Sequence, residues 1–192
     1  MHQGPSTKPE WDRLHEVAAE QSGYFTAQQA ATAGYSTYFL RKHVRSGHIE
    51  REQRGIYRLV PFPEEHDAEL VPTWLMTRRE GVLSHDTALS LYNICDILPS
   101  RLHITLPTSW GKRRVPGLPS SVLYYADIAE ADRTLLSGVP ITGYRRTLED
   151  CAARRILPDL LRQAAREAIG QGYVRPEELV EVQRALQPFG GI

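Results

Sequence analysis

Along the first sixty residues the apolar positions change period several times, and each change marks an element. Trp11, Leu14, Val17 and Ala18 recur at helical spacing. Pro9 suits the first turn of that helix, Glu10 and Asp12 suit its positive end, and Gly23 stops it. Thr26 opens a second helix, because its hydroxyl can cap a free N–H and Gln29 stands three residues on, the spacing of a capping box. Ala27, Ala30 and Ala31 make this helix slim, and Gly34 ends it in a left-handed cap. Ser36 caps a third helix whose inner face is Phe39, Leu40 and Val44, and Gly47 ends it. From His48 the period shortens to two. Ile49, Arg51 and Gln53 alternate with Glu50, Glu52 and Arg54. This predicts a strand over 49–53, a turn at Arg54-Gly55 and a strand over 56–60. Helix, tight turn, helix and ribbon is the order of a winged helix-turn-helix.

Pro61-Phe62-Pro63 closes this unit, and composition then shifts. Residues 64–98 carry seven acids against only Arg78 and Arg79. The predicted fold class is α+β, with a winged helix-turn-helix over 10–62 and a mixed α/β domain over 65–190. In the second unit, residues 66–80 read as helix, with Pro72 marking a bend or a late start. Ser84 is placed to cap a helix running to about Tyr92. Residues 102–106 and 122–125 read as strands. Ser137-Gly138 is a turn dipeptide between strands over 134–136 and 139–142. Helices are expected over 144–155, 158–170 and 176–187, the last with Pro176 in its first turn. Residues 1–9 are polar and are expected to be a frayed lead-in.

Charge sharpens the picture. The 192-residue chain is formally neutral, with 23 basic and 23 acidic residues, yet six of the basic ones fall between Ser36 and Arg58. Net neutrality argues against a general polyanion binder but not against a locally basic DNA-reading face. The expected DNA-contacting residues are Ser36, Thr37 and Tyr38 at the start of the third helix, Arg41, Lys42 and Arg45 along it, and Arg51, Arg54 and Arg58 on the wing. Glu50 and Glu52 are an objection to a DNA-facing wing, unless they point away from the duplex or pair with the arginines. Lys112, Arg113 and Arg114 form a second short basic patch beside Trp110, equally readable as a solvated loop.

Other chemistry finds little support. The seven histidines show no HxxxH or HxH pair, so no metal site is expected. Ser84, His85 and Asp86 are sequence neighbours rather than a catalytic triad, whose members meet from separate elements. No lysine has an acid two positions before it, so the acid-x-Lys element of many nucleases is missing, and phosphate-loop and dinucleotide-binding glycine motifs are absent. No catalytic residues and no cofactor are assigned. Cys95 and Cys151 lie 56 residues apart among apolar neighbours and read as buried free thiols of a reducing cytoplasm. Neither a secretion signal nor a membrane span is visible, and a cytoplasmic location is expected.

Four segments together resemble the AbiEi-type antitoxins, the transcriptional regulators of abortive-infection, type IV toxin–antitoxin systems. The first is Ala33-Gly34-Tyr35-Ser36 with Leu40, Val44 and Gly47, followed by Arg54-Gly55-Ile56-Tyr57-Arg58-Leu59. The second is Val82-Leu83-Ser84-His85-Asp86-Thr87-Ala88-Leu89. The third is Leu102-His103-Ile104-Thr105-Leu106-Pro107. The fourth is Gly138-Val139-Pro140-Ile141-Thr142, leading to Arg146-Thr147-Leu148-Glu149-Asp150. They occur in family order over roughly residues 11–170.

The resemblance implies a DNA-binding autorepressor that recognises inverted repeats ahead of its own operon. It also implies a C-terminal domain that opposes a nucleotidyltransferase-like toxin, with no stable toxin complex required. Two other readings stand beside it: a transcriptional regulator without an antitoxin role, and a winged-helix module for protein interaction. No membrane partner is expected. The final helix (Leu179, Val182, Leu186) offers one narrow apolar stripe that its own core can absorb, so a monomer is expected in free solution.

Overall fold

A computed structural model describes residues 9–63, 67–111, 115, 118 and 120–192. The chain forms two compact units. The first takes in the chain through Arg79 and a few later residues, among them Ser137–Val139; the second takes in most of the rest. The expected α+β class holds, with a winged helix-turn-helix first and a mixed α/β unit after it.

In the first unit α1 (Trp11–Ala19), α2 (Ala27–Thr32) and α3 (Thr37–Arg45) are followed by the hairpin β2 (Ile49–Gln53) and β3 (Ile56–Leu59). Pro9 lies just outside α1, which Glu10 precedes as N-cap. The capping box of α2 is formed as expected: Gln29 N donates to Thr26 Oγ1 at 3.1 Å and Thr26 N donates to Gln29 Oε1 at 2.8 Å. Ser36 Oγ accepts from Phe39 N to cap α3. Leu14, Ala18, Phe25, Ala30, Tyr35, Leu40, Ile49 and Leu59 build the core. Gly23 is required twice over. Its φ is +87°, and a Cβ there would lie 2.6 Å from the Phe62 Cβ.

Two features differ from the sequence reading. A third strand, β1 (Tyr24–Thr26), pairs antiparallel with β3, so the sheet order is β1-β3-β2. Three residues are too few to show alternation. In addition, α4 (Leu70–Met76) belongs to this first unit, where it packs against β1 and β3, although composition assigned it to the second. Acidic residues shape a surface, whereas Leu70, Val71 and Leu75 are buried and decide where the helix packs. Pro72 sits in the first turn of α4, the late start foreseen. Arg78 and Arg79 close α4 with φ +55° and +65°. Arg78 N donates to Leu75 O and Arg79 N to Trp74 O, a Schellman pattern with arginine where glycine is usual.

The second unit holds a five-stranded sheet in the order β6-β5-β4-β8-β7. Its strands are β4 (Val82–Leu83), β5 (Leu102–Leu106), β6 (Ser121–Tyr125), β7 (Arg133–Leu136) and β8 (Val139–Thr142). β4 runs antiparallel to β5 and parallel to β8, and β5 runs parallel to β6. Leu83 pairs with Ile104 on one side and Ile141 on the other, so three of the family-like segments meet at one strand. Ser137 and Gly138 both have positive φ, as a two-residue hairpin turn requires. The helices are α5 (His85–Leu91), α6 (Tyr144–Ala153), α7 (Pro158–Gly170) and α8 (Val180–Leu186). The predicted 176–187 helix is broken: Pro176–Glu178 forms a 3-10 turn before α8 begins. Leu89, Leu148, Cys151, Ala164, Leu179 and Val182 belong to the helical core.

Candidate nucleic-acid interface

Helix α3 divides cleanly. Leu40 is buried and Phe39, His43 and Val44 are half-buried, whereas Thr37, Tyr38, Arg41, Lys42 and Arg45 are exposed. Arg41 and Arg45 are one turn apart and share a face. Tyr38 is 70% exposed, large for an aromatic side chain, and meets only the edge of Phe39 at 5.8 Å among described ring pairs. His43 turns inward against Trp11 and Tyr35, at 5.5 and 5.7 Å between ring centroids. Burial, then His48 and Lys42, lower its pKa, so it adds no charge to this face at neutral pH.

The wing sorts its charges by face. Ile49 pairs with Leu59 and Arg51 with Tyr57, and Tyr57 stacks on its β1 neighbour Phe25. Phe25, with Ile49 and Leu59, is buried in the core beside Leu14 and Ala18 of α1 and Leu40 of α3. Arg51 therefore lies on the side of the sheet that faces the helices. Glu50 pairs with Arg58, on the opposite side. The register shifts between Arg51 and Gln53, which leaves Glu52 as the bulge residue. Arg54 is exposed in the turn beside Gly55.

Arg58 makes contacts within its own unit that the sequence did not reveal. Its Nη2 donates to Phe62 O at 3.0 Å and to Pro63 O at 3.4 Å, and its guanidinium lies 5.6 Å from the Tyr24 ring. Strand β1 supplies that ring, which is why alternation along β3 alone did not reveal the arginine's role. Arg58 ties the wing to its own exit segment. Lys112, Arg113 and Arg114 lie outside the described residues.

The second unit contains a polar cluster that sequence spacing concealed. Ser84 occupies the N-cap position of α5 but does not cap it. Its hydroxyl instead accepts from Thr105 Oγ1 at 2.8 Å and meets His85 Nδ1 at 2.9 Å. His85 has φ +52° and stacks on Tyr124, 3.5 Å between centroids. Arg154 Nη2 donates to Asp86 Oδ2 at 2.7 Å, and its Nη1 donates to the Tyr124 hydroxyl at 2.9 Å. That hydroxyl lies 3.2 Å from His103 Nδ1. Burial first, then His103, Arg154 and Arg146, push His85 down to about 3. His103 is also lowered by burial, against the pull of Asp86. Ser84 is fully buried, so the cluster fastens α5, β5, β6 and α6 together rather than offering a nucleophile.

Among the described residues, no group of three or more His, Cys, Asp or Glu side chains is placed to hold a metal ion. None of the helices described is long and apolar enough to cross a membrane. Cys95 and Cys151 are buried and unpaired with each other, and burial raises the thiol pKa of both, that of Cys95 to about 11.

Residues 12–60 match a family model described as a transcriptional regulator, AbiEi antitoxin. Over 98% of its length the chain is similar in fold to the crystal structure of the RV2827C protein from Mycobacterium tuberculosis, with a TM-score of 0.52, 19% sequence identity and 75% of that chain covered. No curated protein matches. The structural likeness establishes shared architecture, while the family match falls on the winged unit. Residues 12–60 are thus similar to the winged-helix domain of AbiEi-type regulators.

Proposed function

We propose that the chain is a DNA-binding antitoxin and autorepressor of a type IV toxin–antitoxin operon, acting in the cytoplasm on inverted repeats upstream of its own genes. The observation that carries the DNA-binding half is the exposed row Arg41, Lys42 and Arg45 on α3, set outside the Leu40 contact with the core. In a helix-turn-helix this helix enters the major groove, where guanidinium groups read guanine edges or hold phosphates. Ser36, Thr37 and Tyr38 stand at its leading end, and Arg51 and Arg54 extend the basic surface along the wing. The family match over 12–60 supports a regulatory role. Opposition to a nucleotidyltransferase-like toxin rests on the resemblance and falls to the second unit.

Footprinting of the folded protein on its upstream DNA tests the reading, with Arg41→Ala/Arg45→Ala as the comparison. Growth rescue on co-expression with an adjacent toxin gene tests the antitoxin half separately.

A further inference from the structure

The first unit carries a cleft of about 660 Å³ that the DNA-reading face does not use. Helices α1, α2 and the end of α4 line it. Its floor is a clasped amide pair. Gln29 Nε2 donates to Gln21 Oε1 at 3.0 Å, and Gln21 Nε2 donates to Val17 O and Tyr24 O at 3.1 and 3.0 Å. Gln29 Oε1 accepts from Thr26 N. The floor is polar, fixed by its own hydrogen bonds, and unsuited to a purely apolar guest.

The charge sits on the rim. Arg13, Arg78 and Arg79 line the cleft, with Glu20 the single acid among the described lining residues. Arg13 is held only loosely by Glu10, at 3.8 Å with both side chains about half exposed. Arg78 and Arg79 reach the rim from two consecutive left-handed residues, a backbone conformation that side chains other than glycine rarely adopt. Guanidinium forks match phosphate oxygens, and two at one concavity, Arg13 and Arg79, suit more than one phosphate. Val17 and Leu75 add an apolar wall. The volume lies in the range of small-molecule sites and exceeds what a lone phosphate fills.

We propose that this cleft binds a nucleotide-sized, phosphate-bearing small molecule, with Arg13 and Arg79 holding the phosphates and the Val17/Leu75 wall receiving the ring. One wall is α2, the first helix of the helix-turn-helix, so an occupant touches the DNA-reading unit directly.

Calorimetric titration of the full chain with ATP, inorganic pyrophosphate and adenosine tests the proposal. ATP and pyrophosphate should bind, with adenosine weaker by about tenfold or more. Arg13→Gln/Arg79→Gln, both surface changes, should weaken ATP by about tenfold or more, while Arg41→Ala/Arg45→Ala leaves it within about twofold. Arg79→Lys should retain part of the affinity. No heat from ATP or pyrophosphate at millimolar concentration would overturn the proposal, as would adenosine binding as tightly as ATP. Loss of ATP binding in the α3 variant alone would move the phosphate site to the recognition helix. If the cleft variant bound ATP like wild type but bound all duplexes more weakly, the phosphates would be those of DNA and the small-molecule site would be refuted.

Discussion

Arg51 stands directly across the wing from Tyr57, on the face that also carries Ile49 and Leu59, whereas Glu50 stands across from Arg58 on the opposite face. Glu50 therefore lies off the face that carries Arg51. Arg51→Ala should lower affinity for specific and nonspecific duplexes alike and reduce the slope of log affinity against log salt by about one. Glu50→Ala should leave that slope nearly unchanged. Filter binding across a salt series distinguishes the two, and equal effects would mean that the face assignment is wrong.

Arg58 should behave as a packing residue. Its guanidinium is committed to Phe62 O and Pro63 O and to the face of Tyr24. Arg58→Ala should cost about 1–2 kcal/mol of stability in denaturant melts. DNA affinity of the folded fraction should be unchanged. A large affinity loss in a fully folded variant would restore Arg58 to the interface.

Much of this architecture was legible because local chemistry specified it. Thr26 with Gln29, Ser36 and Gly34 fixed the two turns of the helix-turn-helix, and Ser137-Gly138 fixed a hairpin. What escaped depended on partners remote in sequence. Strand β1 exists through its pairing with β3, and Arg58 turns inward because β1 brings Tyr24 beside it. Ser84 looked like a cap, but Thr105 and His85 claim its hydroxyl. Arg154 joins that cluster from 68 residues beyond Asp86, a separation no spacing rule encodes.

The buried histidines predict a pH response. His85 ordinarily titrates at 6.5 but is held near 3 in the fold, and His103 is lowered too. The unfolded chain therefore takes up protons first as pH falls. Stability is full above about 6.5 and declines toward pH 3, by at most about 1.4 kcal/mol per pH unit per histidine. Asp150, raised by burial, works in the opposite sense in the carboxylate range. His85→Asn removes one titrating group while tolerating the left-handed backbone. Urea melts at pH 7 and 5 should show a smaller stability loss for this variant, and an equal loss would place the acid response elsewhere.

Thr26→Ala should cost about 0.5–2 kcal/mol by opening the capping box of α2. Because Gln29 also clasps Gln21, the loss should appear in hydrogen exchange as faster opening of both α1 and α2. Exchange confined to the first turn of α2 would show that the clasp does not couple the two helices.

Leu179, Val182 and Leu186 are buried in the core of their own unit, leaving no apolar stripe on α8 for a helix–helix seam. Sedimentation at micromolar concentration should find a monomer, and an isolated half-site should bind one copy at low salt. A tight free dimer would refute this.

The central claim is that α3 reads DNA through Arg41 and Arg45. The most direct measurement is a footprinting titration of the upstream repeats with wild type and Arg41→Ala/Arg45→Ala, after circular dichroism has shown both folded. The account predicts a protected operator for wild type and none for the variant over the same concentrations. An unchanged footprint from the folded variant would contradict it and remove this helix from the mechanism.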